Sequence, residues 1–451
     1  MILESDVMSP DVAASLVNEK LLPLAERDRM RVAEADKALK GNQAFNEGLA
    51  RAIKDEHKNE AKFLKKIAAT PLLELVISVV VQQTVAEGVS TGGEHAPQMW
   101  KPWEANGLRS RQHALYHAIL AYGKSYMMVT PGVIGNEARA VMVPLSPAQL
   151  VTVGTGEDGA EYPAYALRTM PDGTLRLYDA NNVYTFHKEN TYTDKVKLAS
   201  VQQHGLGVCP VVTYGDFDIH GNAISEIDRY ELVARRFEKS VLDRLMVQQW
   251  NSWRVKTATG LDETLTDDER AKIKLHLAHS DILTGSEGVQ FGTLPETQMD
   301  GLLRAAEADR DMLAAVSQTP VWALNGGQMT NLSAEALAES RSMSRLKVQA
   351  FQRLNNRGHC HALRLASHVE GRYEDAANYD LQIIWDDVEA RSMSQMADAL
   401  GKIATQLRVP AEKLWELIPG VSRSTVQEWQ AYAEQHPDAD TMLAQSLTAV
   451  Q

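Results

Sequence analysis

A long uninterrupted helix is predicted between Ser225 and Ser252. Apolar residues recur at three- and four-residue steps from Ile227 to Leu245, which is the spacing of one helical face. The 28 residues of this stretch would extend for about 42 Å at 1.5 Å per residue. The other positions include five basic and five acidic side chains. An apolar stripe on a helix whose charges balance is typical of packing among similar helices.

A second helix is predicted after a compact excursion of the chain. Residues 253–296 read as a small module of strands around one short helix, at residues 266–278. Apolar residues then return at helical spacing from Thr297 to about Ser317, and Thr319-Pro320 ends that pattern, because a residue that precedes proline disfavours the helical conformation. The sequence therefore predicts an antiparallel pair of helices with a module at its tip.

A loop and a still longer helix follow this pair. Residues 320–332 contain an Asn-Gly-Gly run at residues 325–327, and such residues favour flexible loops. Ser333 is placed to cap a helix that runs to about Val369. Gly358 lies inside that helix and marks a point at which it could kink.

Helical patterns also predominate near both ends of the sequence. The first 90 residues read as amphipathic helices, residues 84–98 read as a Gly-containing break, and another helix is predicted from Leu108 to Ala121. A strand is predicted at residues 379–385, and the stretch from Ser392 onward reads as helical and acidic.

Residues 125–215 differ from the helices around them. They consist of short runs of β-branched or alternating apolar residues, punctuated by Gly, Pro, Asn and Asp, which is typical of strands joined by turns. Hairpin turns are predicted at residues 171–173 and 181–182. The predicted fold class is therefore α+β, mainly helical, with one β-rich insert.

Composition limits the classes of protein to which the chain can belong. Its 451 residues exceed one ordinary core, and 44% apolar with 23% charged residues is an ordinary folded composition. The net charge of −13 argues against a general nucleic-acid clamp, because phosphate binding needs a cationic surface. Cys209 and Cys360 are too few for a disulfide framework or a zinc cluster. We find no signal peptide, and the apolar stretch at residues 72–81 is too short for a membrane span, so we expect a soluble protein of a reducing compartment.

One short segment is similar to a nucleotide-binding loop. Gly123-Lys124-Ser125 could end a Walker A motif, but Ala118 stands where the first glycine is required. The predicted order is helix then strand, whereas a phosphate-binding loop leaves a strand and opens a helix. The end of a helix followed by the start of a strand is the favoured interpretation.

Possible metal ligands are scattered along the sequence. His113 and His117 are four residues apart on one predicted helix, but no third ligand is evident nearby. His359-Cys360-His361 would point in different directions on a helix, and Asp386-Asp387 reads as a turn after a strand. We therefore predict no metal, no cofactor and no catalytic residue, so the chain is not expected to be an enzyme.

Basic and aromatic side chains leave two interpretations open. Arg235, Arg236 and Lys239 could contact phosphates, although the interleaved acids are favoured as their partners along the helix. Four tryptophans could be stacking platforms for bases, although packing in a core or an interface is the favoured role. These tryptophans are Trp100, Trp103, Trp253 and Trp322.

Four features, taken in order, make up a layout that resembles a known family. The first is Trp100 with Asn106-Gly107-Leu108 and a helix ending in Tyr122-Gly123-Lys124-Ser125-Tyr126. The second is Gly207-Val208-Cys209-Pro210, followed by Ser225-Glu226-Ile227 and the long helix. The third is Pro320 with the Gly- and Asn-rich loop and Leu332-Ser333-Ala334-Glu335-Ala336, and the fourth is Trp385-Asp386-Asp387 before a helical tail. Their order and spacing, from about residue 10 to 435, resemble the portal (head–tail connector) proteins of tailed bacteriophages.

The resemblance implies a dodecameric ring at one capsid vertex with a central channel for double-stranded DNA. It also implies a role for each segment. Residues 1–224 and 333–390 would form the wing, 225–252 and 297–318 the two stem helices, 253–296 the clip, 319–332 the tunnel loop and 391–451 the crown.

The same resemblance implies residues that would meet DNA or partners. The candidates are Trp322, Asn325, Gln328, Met329, Thr330 and Asn331 in the tunnel loop; Arg235, Arg236, Lys239 and Arg244 in the stem; and Trp253, Arg254, Lys256, Lys272 and Lys274 in the clip. A conduit must not hold its polymer, and each Lys or Arg that contacts phosphate adds affinity. A neutral stem with uncharged loop side chains would therefore favour sliding.

The partners that the resemblance implies are other copies of the chain, the major capsid and scaffolding proteins, the terminase motor, the head–tail adaptor and DNA, with no membrane. The protein would be made in the host bacterial cytoplasm and would end in the virion. Two alternatives remain at this point. They are a terminase-like packaging ATPase and another structural virion protein.

Overall fold

The computed structural model describes residues 7–41, 58–154, 161–190, 193–252, 256–259, 290–293, 298–325, 334–386, 393–415, 418, 421 and 423–436. The chain divides into two compact units, residues 1–386 and 387–451. No helix among the described residues is long and apolar enough to cross a bilayer.

Helices and sheets are mixed along the first unit, which confirms the predicted α+β class. Its helices are α1 (Pro10–Ser15), α2 (Leu22–Leu39), α3 (Lys58–Ala68), α4 (Leu72–Gln82), α5 (Pro97–Ala105), α6 (Leu108–Tyr122), α7 (Glu226–Ser252), α8 (Asp300–Val316), α9 (Val321–Asn325), α10 (Ala334–Val369) and α11 (Tyr373–Ala376), with a π-helical segment at Leu16–Leu21. Its strands are β1 (Ala86–Thr91), β2 (Glu94–His95), β3 (Lys124–Ile134), β4 (Glu137–Leu145), β5 (Leu150–Val153), β6 (Tyr165–Thr169), β7 (Leu175–Tyr178), β8 (Asn182–Asn190), β9 (Thr193–Gln203), β10 (Val211–Gly215), β11 (Lys256–Thr259), β12 (Gln290–Thr293) and β13 (Leu381–Trp385).

The N-terminal helices cover one face of a five-stranded sheet. Ser9 begins α1 by accepting a hydrogen bond from a backbone N–H in its first turn. The apolar face that continues through the π-helical segment, including Val17 and Leu21, is buried against Leu177 and Phe186 of the sheet. The helices predicted at this end are thus confirmed over residues 10–39, 58–68 and 72–82, whereas residues 42–57 lie outside the described residues.

The β-rich insert contains the two predicted hairpin turns. Strands β5 to β9 form an antiparallel sheet in sequence order, and β10, β3 and β4 form a second sheet. At the first turn Gly173 has φ of 82°, and the Asp172 carboxylate accepts the Thr174 N–H at 2.9 Å. At the second, the Asp179 carboxylate accepts the backbone N–H groups of Asn181 and Asn182. Gly, which allows positive φ, and Asp, whose side chain bonds to nearby backbone N–H groups, are residues that turns favour.

A third sheet joins distant parts of the first unit. Strand β1 pairs antiparallel with β13, and β2 pairs on the other side of β1. The prediction that residues 84–98 form only a break was therefore wrong, because they contain β1, β2 and the start of α5. The hydrogen bonds of β1 come from residues almost 300 positions away, with Val89 opposite Ile383, so the local sequence gives little sign of them.

Helix α10 is the longest described element, and it passes through a buried aromatic cluster. A Cβ on Gly358 would lie 2.5 Å from the Tyr214 ring, so this glycine allows a close approach rather than marking a break. His359 lies between the hydroxyls of Tyr116, at 2.8 Å from Nε2, and Tyr214, at 3.2 Å from Nδ1. Trp103 contacts the same imidazole edge-on. The packing role favoured for Trp103 is thus confirmed, and His359 is a core residue.

The two predicted helices around residues 253–296 are present as α7 and α8. The Ser225 hydroxyl accepts the Asp228 N–H at 3.0 Å, but the Asp228 carboxylate binds Arg31, so only half of the expected capping box forms. The predicted strands near both ends of the module are confirmed as β11 and β12, which pair antiparallel. The helix predicted at residues 266–278 lies outside the described residues.

The loop predicted at residues 320–332 begins with a helical turn. Helix α9 covers Val321–Asn325, so the loop prediction was wrong for these five residues. Pro320 lies immediately before the turn, and its carbonyl oxygen accepts the Ala323 N–H at 2.9 Å. Leu324 is buried, which fixes the turn against the rest of the unit.

The described part of the second unit is helical, as its sequence predicts. It contains α12 (Met393–Leu407), a 3-10 turn (Ala411–Lys413) and α13 (Arg423–Gln435). Trp415 and Trp429 meet edge to face with ring centroids 6.1 Å apart, an arrangement that aromatic pairs favour.

Candidate functional site

Helices α7 and α8 form an antiparallel pair. Asp309 in α8 joins two residues of α7, through Arg236 Nε at 2.5 Å and the Ser240 hydroxyl at 3.0 Å. The start of α7 and the end of α8 also meet, because Lys347 binds the Glu226 carboxylate and the Ser317 carbonyl oxygen. We call these two helices the stem pair.

Two of the basic side chains singled out in α7 pair with acids one turn away. Arg235 binds Glu231 and Lys239 binds Asp243, each at i,i+4 spacing. This confirms that the interleaved acids pair with these two cations along the helix. Arg236 pairs instead with α8, as described above, which the sequence did not indicate. No carboxylate among the described residues pairs with Arg244, which is half-buried.

The charges of the stem pair do not form a cationic wall. Helix α7 has five acidic and five basic residues, and α8 has four acidic residues against two basic ones. Because most of the named cations have a carboxylate partner, little positive potential remains for a polyanion. A surface of this kind does not grip phosphate.

Lys347 lies where both stem helices meet α10, and we call its contacts the Lys347 junction. The ammonium group lies 5.3 Å from the centroid of the Tyr230 ring. Burial lowers the pKa of Lys347, while the Glu226 carboxylate opposes that shift. Glu226 itself is buried and also receives a hydrogen bond from Arg229 at 3.3 Å. The junction is therefore a buried, hydrogen-bonded charge cluster that holds both helix ends on α10.

A groove of about 480 Å³ runs beside this junction. Its apolar lining includes Ile119, Phe351 and Leu354, and its charged lining includes Arg229 and Lys347. Every charged group named here already has a partner, so the groove does not have the unsatisfied polar atoms that a small-molecule site would present.

The C-terminus of α8 ends in a left-handed residue that is not glycine. Gln318 has φ of 54°, while the Thr319 N–H bonds to the Ala314 carbonyl and the Gln318 N–H to that of Ala315. These two bonds define a Schellman ending, in which glycine is usual at the Gln318 position. The chain turns sharply here and enters Pro320 and α9.

Glu238 anchors the opposite side of α7 to the N-terminal helices. Its side chain is only 2% exposed, its carboxylate accepts the Thr70 backbone N–H, and burial raises the pKa of Glu238 to about 8. A Cβ on Gly41 would lie 2.7 Å from Glu238 Oε1. Glu238 is therefore a buried acid whose pKa burial holds well above that of an exposed carboxyl.

The structure brings together only part of the set expected from sequence. Trp322 is half-buried in α9, Asn325 ends that helix, and the Lys256 backbone pairs with Thr293 in the β11–β12 hairpin. The other candidates lie outside the described residues: Gln328, Met329, Thr330 and Asn331 in the loop, and Trp253, Arg254, Lys272 and Lys274 in the module.

Sequence reasoning missed Lys347, Asp309, Glu238 and Gln318. Each is an ordinary residue of a charged helix or helix end, and its role depends on a contact with a distant segment. Only the burial of Glu238 could have been suspected from the sequence. Glu238 lies on the same face of α7 as the apolar Leu242, which packs against α3.

The segments weighed as enzyme or metal sites have structural roles. Gly123 ends α6 with φ of 81°, and Lys124 Nζ binds Asp28 Oδ2 at 2.6 Å in a buried ion pair. His117 Nε2 lies 3.0 Å from Glu74 Oε2. Among the described residues, no three His, Cys, Asp or Glu side chains are grouped so as to hold a metal.

Comparison with known proteins identifies the family. The family model described as "Phage portal protein, SPP1 Gp6-like" matches residues 19–439. A chain in the virion of a native gene transfer agent particle is 14% identical with a TM-score of 0.43, over 80% of this chain and 93% of that chain. A chain in the neck of a native gene transfer agent particle, computed with C12 symmetry, is 12% identical with a TM-score of 0.44, over 78% and 90% respectively. No curated protein matches the chain. Because the family model spans most of the sequence, the chain belongs to the SPP1 Gp6-like family of phage portal proteins.

Proposed function

We propose that this chain is the subunit of a closed ring at one vertex of a capsid, through which double-stranded DNA passes during packaging and ejection. Membership of the portal family is the observation that carries the proposal. The ring is dodecameric, as the family resemblance implies. The protein conducts and retains DNA and catalyses no reaction.

The charges of the stem pair support a role as a conduit. Arg235, Arg236 and Lys239 are each paired with a carboxylate. A lining whose cations are already paired releases few counterions from DNA, so DNA binds weakly and moves freely. This is the property that a channel wall needs.

Exposed apolar side chains support assembly into a larger object. Leu232 in α7 is 77% exposed, and Met312, Val316 and Leu346 are also exposed in the single chain. Met312 and Val316 are one turn apart on α8, and adjoining exposed apolar side chains are typical of surfaces that become buried in an assembly. In the proposed ring, each subunit buries such surfaces through contacts between two different faces, and these contacts close the ring.

The segments take the roles that the resemblance implies. In this proposal the stem pair forms the channel wall, residues 253–296 form the clip that docks the terminase motor and later the head–tail adaptor, and residues 319–332 form the tunnel loop. Residues 1–224 and 333–390 form the wing, which meets the capsid and scaffolding proteins, and residues 391–451 form the crown. The assembled ring belongs to the virion and is made in the host bacterial cytoplasm.

Electron microscopy of the purified protein, and of particles that contain it, tests the proposal. We expect closed rings with an open axial channel, and α7 and α8 nearer to the axis than the five-stranded sheet. A protein that stays monomeric at high concentration and is absent from the capsid vertex would refute it.

The tunnel loop has its own test. Deleting residues 325–330 should leave rings assembled, because the contacts of the stem pair are untouched, while DNA retention or packaging falls. Ring assembly is measured by native mass and DNA content by nuclease protection of filled particles. Loss of assembly would mean instead that the loop is part of the subunit contact.

A further inference from the structure

Helices α3 and α8 lie on opposite sides of α7. Leu64 and Ala68 of α3 pack against Leu242, whereas α8 meets α7 at Ser240 through Asp309. Two residues along a helix are about 200° apart around its axis, so the two neighbours of α7 contact nearly opposite faces. The three helices therefore form a layer with α7 in the middle.

The outer face of α3 is basic and apolar. Phe63 is 62% exposed and Ile67 is 49% exposed, although both are large apolar side chains on a short helix. Lys62 and Lys66 are exposed beside them. No carboxylate among the described residues pairs with either lysine. We call these four residues the basic face.

The outer face of α8 has the complementary character. Leu303 is 43% exposed, and Glu307 and Asp311 are exposed on the same side of the helix. Glu307 has no ion-pair partner among the described residues, and Asp311 is contacted only by the adjacent Arg310, at 3.3 Å. Arg304 and Arg310 also lie near this stripe, but with Asp300 included three acids outnumber the two arginines. We call Leu303, Glu307 and Asp311 the acidic face.

We propose that the basic face of α3 in one copy of this chain docks on the acidic face of α8 in the next copy. The inference rests on the proposed ring, and it names the surfaces that close it. Opposite charges and exposed apolar side chains occur on both faces, so each face can satisfy the other. Because the faces point in opposite directions across one layer, the contact is head to tail, which is the kind that generates rings.

Charge reversal on each face, alone and combined, tests the proposal on the full chain. The variants are Lys62→Glu with Lys66→Glu, Glu307→Lys with Asp311→Lys, and all four together. Lys195→Glu with Lys197→Glu is the matched control, because both lysines are on the edge strand β9 of the five-stranded sheet. Circular dichroism and thermal melting establish that each variant is folded.

Sedimentation velocity measures the protein concentration at which half of the chain is assembled. Like charges facing each other across an interface cost several kcal/mol, so each double variant should raise that concentration by about tenfold or more. The fourfold variant should return to within about threefold of the parent, and the control should stay at the parent value. Raising the salt concentration should weaken assembly of the parent and bring the double variants closer to it.

Cross-linking provides a second measurement that does not depend on charge. A Lys66→Cys, Glu307→Cys chain treated with a short bifunctional thiol reagent should give a ladder of linked copies, whereas each single variant should not. Background is low because Cys209 and Cys360 are buried.

The outcomes separate this inference from the proposed function. Two outcomes would overturn the docking of these faces and leave the ring proposal intact. In the first, the parent and both double variants assemble fully. In the second, the fourfold variant assembles no better than the double variants. A parent chain that never assembles would overturn both. Assembly lost in the Lys62, Lys66 variant and regained in the fourfold variant would support the docking.

Discussion

Glu238 gives the molecule a pH dependence that can be worked out from its surroundings. Burial raises the pKa of this carboxyl to about 8 in the folded chain, against about 4.3 in an unfolded one. Between these values the unfolded state releases a proton that the folded state keeps, so stability falls as pH rises through this window. Above the folded pKa both states are ionised, and the loss levels off.

The size of the effect follows from the shift. One pKa unit corresponds to about 1.4 kcal/mol. Raising the pH from 6 to 9 should therefore lower the free energy of unfolding by roughly 2–3 kcal/mol through Glu238. Glu238→Gln keeps the shape and removes the charge, so this part of the pH dependence should vanish. For a chain of this size the difference corresponds to about 2–3 °C in apparent melting temperature.

The assay compares thermal melting of the parent and the variant across that pH range. Glu231→Gln is the matched control, because Glu231 is on the same helix but is half-exposed and paired with Arg235. We expect the melting temperature of the parent and of the control to fall more steeply with pH than that of Glu238→Gln. Parallel curves for all three proteins would refute a protonated Glu238.

Three further perturbations have definite expected outcomes. Lys347→Met leaves the buried Glu226 carboxylate with Arg229 alone and should lower the free energy of chemical unfolding by about 2–4 kcal/mol. Full recovery on adding Glu226→Gln would identify the broken Lys347–Glu226 pair as the cause. An unchanged unfolding midpoint would exclude the junction as an anchor. Gln318→Gly should stabilise the chain by about 0.5–1 kcal/mol by relieving the left-handed backbone, whereas a lower melting temperature would show that the Gln318 side chain matters more. Burial lowers the pKa of His359 to about 3 in the folded chain. As the pH falls below about 6.5, the unfolded state therefore takes up a proton that the folded state does not. Between pH 7 and 5 the free energy of unfolding of the parent should therefore fall by roughly 2 kcal/mol more than that of His359→Phe. Equal falls in the two proteins would contradict a neutral, buried imidazole.

Local sequence predicted the elements whose signals lie within themselves. The apolar stripe of α7, the Gly123 ending of α6 and the turns at residues 171–173 and 181–182 all depend on neighbours within a few residues. Each was expected in the right place because spacing, capping and turn chemistry act over that distance.

What the sequence did not predict depends on contacts between distant segments. Strand β1 needs β13 for its hydrogen bonds, and its short Ala-Glu-Gly-Val sequence has no alternation to reveal it. Lys347 acquires its role from Glu226 and Ser317, which are 121 and 30 residues away. The kink expected at Gly358 reflected the usual effect of glycine in a helix, whereas the Tyr214 ring is what requires it.

The pairing of β1 with β13 also bears on how the polypeptide is made. Ribosomes add about 5–20 residues per second, so roughly 15–60 s separate the synthesis of Thr91 from that of Trp385. During that interval one edge of β1 has no strand to receive its hydrogen bonds, a state that invites pairing with other nascent chains. The charge of Glu87 and the missing side chain of Gly88 make this edge a poor template for such pairing until β13 is made.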